Sequence, residues 1–192
     1  MSDRTLGWFI YLLAVLVVAG LVHIVTILAL PHVATRDSYA RLATIAQTNR
    51  FTPLPSPVPG AELLPMQDPA VVRGVCRYDV NNGPVRVRAE IAGVDGLLTL
   101  SFHDRRGASF YATTDRGGVR GRIDVVLLTQ NQLEALEALD SEDEPPQELR
   151  LLAPTREGFV LTGSLALDPG DFDPARGRLS SISCAQENLR RQ

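Results

Sequence analysis

"GLLTLSFHDRRGASFYATT", residues 96–114, alternates apolar and polar side chains on both sides of a turn. Leu98, Leu100 and Phe102 fall on one face of an extended segment and Thr99, Ser101 and His103 on the other, the period of two expected of a strand with one wet face. Asp104 suits the opening of a type I turn, and Gly107 the left-handed position of a bulged hairpin. That register pairs Phe102 with Phe110 and His103 with Ser109, so the apolar faces of the two strands coincide.

The same period continues outward. In "GPVRVRAEI" (83–91) Val85 and Val87 alternate with Arg86 and Arg88, and "GRIDVVLLT" (121–129), "ELRLLAP" (148–154) and "GFVLTGSLAL" (158–167) read as further strands. "QNQLEALEAL" (130–139) places Leu133, Leu136 and Leu139 at helical spacing before "DSEDEPP" (140–146) breaks the helix with charge and proline. A short helical turn is expected from Asp173, and a last segment around Ile182 to Cys184. The expectation is six or seven strands, mostly joined by hairpins, with two or three short helices. The fold class is therefore mainly β with short helices, a β-sandwich or partly open barrel.

Ahead of this body stands "GWFIYLLAVLVVAGLVHIVTILALPH" (7–32). Its apolar run, residues 6–30, exceeds the roughly 7 to 15 residues of a secretory signal core and meets the roughly 20 that a spanning helix needs. Trp8 and Tyr11 suit an interfacial aromatic belt, and Pro31 ends the run. We read a retained transmembrane helix, with residues 1–5 as a tail, 31–60 as an amphipathic helix and proline-rich linker, and 61–192 as the β-rich soluble domain. In "TRDSYARLATIAQTNR" (35–50), Tyr39, Leu42, Ile45 and Ala46 have helical spacing, with Thr35 or Asp37 as cap. "FTPLPSPVPG" (51–60) carries proline at every second position from Pro53 to Pro59, which forbids helix and leaves either a spacer or a strapped-down arm.

Sidedness depends on opposed rules. Arg36, Arg41 and Arg50 after the helix favour a cytoplasmic body, whereas a first helix with a very short tail commonly acts as an uncleaved signal and exports the domain behind it. Cys76 and Cys184 can pair in an oxidising compartment, which tips the reading towards a single-pass inner-membrane protein with a periplasmic domain. His23 and Thr26 share one face of the span, where an ionisable side chain is a candidate intramembrane contact.

Composition excludes several classes. A net charge of −3 does not suit a nucleic-acid binder, and with all 19 basic residues arginine there is no phosphate-loop or Schiff-base lysine. No C-x-x-C, H-E-x-x-H or G-x-S-x-G occurs, and "RGGVRGR" (116–122) does not fit a dinucleotide loop. The best polar constellation is Thr99, Ser101 and His103 facing Ser109, Tyr111 and Thr113 across the hairpin. A hydrated sheet face accounts for it, and no residue is assigned a catalytic role; a hydrolase using Ser101 and His103 is the alternative. For a metal, only His32 and His103 lie outside the span, and Asp140, Glu142, Asp143 and Glu144 lack the spacing of a calcium loop, so neither metal nor cofactor is expected. The arginines at 86, 88, 105, 106, 116, 120 and 122 could meet an acidic partner or lipid head groups if they gather on one surface; scattered charge is the simpler reading.

"LLPMQDPAVVRGVCRYDVNNGPVRVRA" (63–89) resembles the bacterial domain-of-unknown-function family numbered 1254. The resemblance rests on Asp68, the hydrophobic stretch 71–78, Asp79, and Gly83, Pro84 and Val85 opening a strand; "LLAPTREGFVLTGSLALDPGDFDPARGRLSS" (151–181) looks like the closing part of the same domain. The similarity spans residues 53–184. It implies a β-sandwich-like fold in a small membrane-anchored form, and a separate polypeptide supplying a second β-rich domain, numbered 1214 among such families. Partners expected are thus the lipid bilayer and that protein, with no nucleic acid.

Overall fold

The computed structural model describes residues 3–33, 37–91, 96–140 and 146–187. They fall into two units, residues 1–36 and 37–192. The first is one helix, α1 (Asp3–Val33), whose stretch Arg4–Leu30 is long and apolar enough to cross a membrane. Its side chains are apolar on every face, which suits lipid rather than a protein core.

The second unit is a sandwich of two mainly antiparallel sheets. One sheet has five strands in the order β1 (Phe51–Pro53), β2 (Val71–Asp79), β8 (Glu157–Leu165), β4 (Leu98–Asp104) and β5 (Ser109–Thr114). The other has four, ordered β7 (Leu149–Leu152), β6 (Arg122–Leu128), β3 (Val85–Glu90) and β9 (Ser183–Gln186). Alternation decides what each buries: Val85, Val87 and Ala89 of β3 face Leu98, Leu100 and Phe102 of β4 within one core, while Arg86 and Arg88 stay outside. Cys76 on β2 and Cys184 on β9 also lie in this core at disulfide distance, with Cα atoms 6.2 Å apart. Against the sheets lie α2 (Ser38–Ala43), α3 (Gln130–Glu137) and α4 (Phe172–Ser180). Thr129 and Gln132 close a capping box on α3, which makes the crossover between the parallel neighbours β6 and β7.

Three expectations need correction. Tight hairpins do not join most strands: β4 and β5 form one, but the chain changes sheet between β2 and β3, β3 and β4, β5 and β6, β7 and β8, and β8 and β9. The alternation pattern reports which face is buried and carries no information about which strand comes next to which. Phe102 pairs with Tyr111 rather than Phe110, because a bulge after Phe102 inserts one residue while His103 still pairs with Ser109. Gly107 takes its left-handed conformation (φ 88°), and Asp104 Oδ1 accepts from the Arg106 and Ala108 amides, each at 2.9 Å. Finally, Asp37 caps α2, but the helix ends at Ala43, so Ile45 lies beyond it and is 41% exposed while Tyr39, Leu42 and Ala46 are buried.

The segment after α2 does not stand away as a free spacer. Tyr39, Leu42, Ala46, Leu54 and Leu64 pack with Val75 and Phe159 in a second cluster on the outer side of the five-stranded sheet. Asn49 fixes the path, accepting from the Asp79 amide at 2.8 Å and donating to the Asp79 carbonyl at 3.1 Å.

Candidate functional site

Ser101 and His103 lie two residues apart on β4 and their side chains bond directly, His103 Nε2 to Ser101 Oγ at 3.0 Å. His103 Nδ1 lies 3.1 Å from the Gly107 carbonyl, which can only accept, so the proton on Nδ1 is held there and the tautomer with a bare Nε2 can accept from the serine hydroxyl. The ring stacks on Phe159, centroids 4.9 Å apart, with an interplanar angle of 8°. The order serine, histidine, acceptor is that of a nucleophilic dyad, but the acceptor is a neutral carbonyl where a triad has a carboxylate. Asp104 cannot supply that charge because its carboxylate holds the turn. Ser101 Oγ also reaches the Leu161 carbonyl at 3.4 Å, an alternative destination for its one proton.

Beneath this pair, the buried Tyr78 hydroxyl donates to the His103 carbonyl at 3.1 Å. Desolvation by burial pushes its pKa up to about 12. Gly158 has to be glycine here, since a Cβ would meet the His103 carbonyl and the Tyr78 ring.

The bulge splits the polar constellation. Ser109 remains opposite His103, but Tyr111 is opposite Phe102 and Thr113 opposite Leu100, so both turn to the core side of the sheet. Tyr111 packs on Phe102, centroids 5.7 Å apart, and with Thr113 lines a cleft of about 60 Å³ between the two sheets. Ile123, Asp124 and Val125 of β6, Leu149 of β7, and Arg120 and Arg122 are also among its walls. No sequence pattern announces this cleft, because its walls are brought together only when the two sheets stack.

The arginines do not form one patch. Arg86 and Arg88 converge on Asp124, at 3.2 and 3.1 Å, and Arg86 also meets Glu187 at 2.8 Å. Arg105 pairs with Asp37 at 2.9 Å and lies over the Tyr39 ring, 4.0 Å from its centroid; Arg77 lies 4.8 Å from the same centroid and donates to the Tyr39 hydroxyl. Tyr39 is thus clamped between two guanidinium groups, a contact that helical spacing alone does not foretell. Asp140 is engaged by both terminal nitrogens of Arg150, at 2.6 and 2.7 Å, which holds its carboxyl below the usual range. Glu142, Asp143 and Glu144 lie outside the described residues. No group of three metal-ligating side chains occurs among the described residues.

On α1, His23 and Thr26 line one shallow groove with Ala19 and Val22, and the Thr26 hydroxyl donates back to the Val22 carbonyl at 2.8 Å.

No protein-family model matches the sequence, and no protein of curated function is similar to it. The sandwich fold is shared with the VPA0106 protein from Vibrio parahaemolyticus, with TM-score 0.55 and 13% identity over 78% of this chain and 34% of that one. A second solved structure, an uncharacterised protein from Burkholderia cenocepacia, gives TM-score 0.46 and 13% identity over 81% of this chain and 42% of that one. The chain thus spans less than half the length of each of these two structures.

Proposed function

We propose that this chain is a single-pass inner-membrane protein whose sandwich faces the periplasm and serves as a binding or assembly module for another protein. The observation that carries the reading is the joining of an apolar span, Arg4–Leu30, to a sandwich whose two cysteines lie at disulfide distance in the core. A bridge of that kind persists where thiols are oxidised, outside the cytoplasm. The resemblance to the family numbered 1254 supports a partner that carries the second β-rich domain, numbered 1214. Alkaline phosphatase fused after Gln192 should be active, and green fluorescent protein at the same point dark; the reverse pattern would place the body in the cytoplasm. Cross-linking in intact membranes should recover one reproducible protein partner, and recovery of none would remove the assembly role.

A second reading rests on the 3.0 Å Ser101–His103 bond, which would serve an envelope hydrolase. A fluorophosphonate probe should then label Ser101 and lose that labelling in His103→Ala while the domain stays folded; absence of labelling eliminates the hydrolase.

A further inference from the structure

We propose that the open end of the sandwich takes an extended acidic segment of the partner protein, added as a strand to the outer edge of β5. The inference rests on the binding role proposed above.

Edge strands of soluble sheets are normally shielded by brevity, charge or proline. β1 has three residues and ends in Pro53; β7 has four, including Arg150; β9 has four. β5 has six, Ser109–Thr114, with neither charge nor proline, and among the described residues only β4 pairs with it. Among the described residues no strand pairs with its other edge, which can take a further strand. On the facing sheet, β7 joins β6 only from Val125 onward, and ahead of it the turn residue Val119 bridges Arg122, so among the described residues no strand lies beside Ile123 and Asp124 on that side. The outer edge of β5 and the gap between the Val119–Arg122 turn and β7 flank the cleft.

The cleft sets the size of what enters. Its roughly 60 Å³ lies far below the 300–1,000 Å³ of small-molecule sites, and suits one side chain of a segment whose alternate residues point inward. Its floor, Ile123 and Val125, is buried and apolar.

Charge sets the sign. Arg120 and Arg122 stand exposed on the rim, and neither has a carboxylate within 4.0 Å among the described residues. Asp124 also lines the cleft, but Arg86 and Arg88 already engage it. Glu90 faces Arg122 across the β3–β6 ladder without forming an ion pair. Among the described residues that line the cleft, two arginines without ion pairs stand against one carboxylate that is already engaged, so an acidic strand is favoured over a basic one. Arg120 moreover occupies the left-handed region (φ 55°), followed by Gly121 (φ 77°), in a tight turn closed by mutual hydrogen bonds between Val119 and Arg122. Asparagine or glycine is the usual occupant of such a position, and arginine there is strained. The fold thus accepts strain where it places a cation at the cleft.

The test uses the full chain in nanodiscs of zwitterionic lipid and a fluorescein-labelled peptide, Thr-Val-Glu-Val-Glu-Val-Thr, read by fluorescence anisotropy. The peptide should bind, and binding should weaken as salt rises. A version with lysine for glutamate should not bind, nor should one with alternate amides N-methylated, which cannot extend a sheet. Arg120→Asn, which keeps the turn, combined with Arg122→Gln should weaken binding about tenfold, as expected for loss of two partly screened ion pairs. Equal binding of the lysine or N-methylated peptide, unchanged binding by the double variant, or no binding of the acidic peptide overturns the assignment. Recovery of a cross-linked partner alongside any of these results would retain the binding role and move it to another surface.

Discussion

The two ends of the sandwich are built differently. At one end β1 and β9 touch across the sheets, Phe51 lies over Gly74, and Cys76 and Cys184 face each other between the layers at disulfide distance. At the other, β5 and β7 diverge around a cleft rimmed by arginines. The first end gathers segments far apart in sequence, the arm that follows α1 and the final strand, and fastens both to β2 and its neighbours. The second holds the less protected edges. Apolar contacts and the cysteine pair are concentrated where β1, β2 and β9 meet, and the opposite end is left able to accept something more.

Disrupting the closed end should therefore cost far more stability than trimming the open one. The largest effect should come from Cys76→Ala with Cys184→Ala. A bridge across a sequence separation of 108 is worth about 4–5 kcal/mol by loop entropy, and the loss should appear as a lower urea midpoint of the double variant. Reductant should lower the native midpoint equally, and thiol labelling of the denatured, unreduced chain should find no free thiol; two labelled thiols would show that the ends are held by packing alone. Tyr39→Ala should come next. Removing a buried ring that contacts Phe159, Arg77 and Arg105 should cost about 3 kcal/mol and speed proteolysis within the arm before the sheets unfold.

The same contrast explains what could be read from sequence. Most strand positions, the capped α2 and the Asp104–Gly107 turn follow from local rules acting over a few residues, while the cysteine pair follows from there being only two cysteines to pair; β1 was hidden in the proline-rich segment. The bulge escaped because one extra residue opposite the Phe102–His103 step costs little locally; it is fixed by Tyr111 finding room against Phe102, a packing choice. That single residue moved Tyr111 off the polar face and dismantled half of the expected site, while leaving Ser101 and His103 together. The cleft was illegible for a different reason, since β5, β6 and β7 meet there only through sheet stacking.

A smaller, pH-dependent effect tests the layer beneath Ser101 and His103. The folded-state pKa of Tyr78 is raised above its ordinary value of 10.0 to about 12. A raised folded pKa means that the stability is fully present below pH 10 and is lost as pH rises towards 12, with a limiting slope of about 1.4 kcal/mol per pH unit for one proton. Tyr78→Phe should cost about 1 kcal/mol at neutral pH for the lost hydrogen bond to the His103 carbonyl, and should abolish that alkaline slope. An unchanged slope would mean that Tyr78 is not the group being titrated.

The smallest effect is expected at the open end. Leu149 lines the cleft and is 42% exposed, so Leu149→Ala removes methyl groups that water already partly reaches. With about 0.8 kcal/mol per fully buried CH₂ as the ceiling, the stability loss should stay near 1 kcal/mol, well below that of Tyr39→Ala. The same substitution widens the cleft, so affinity for the acidic peptide should change even though the urea midpoint hardly moves. A loss of about 3 kcal/mol or more, the scale of a truncated core residue, would place Leu149 in the structural core and make the two ends equivalent. A small loss with altered binding would show that the cleft contributes recognition at little expense to the fold.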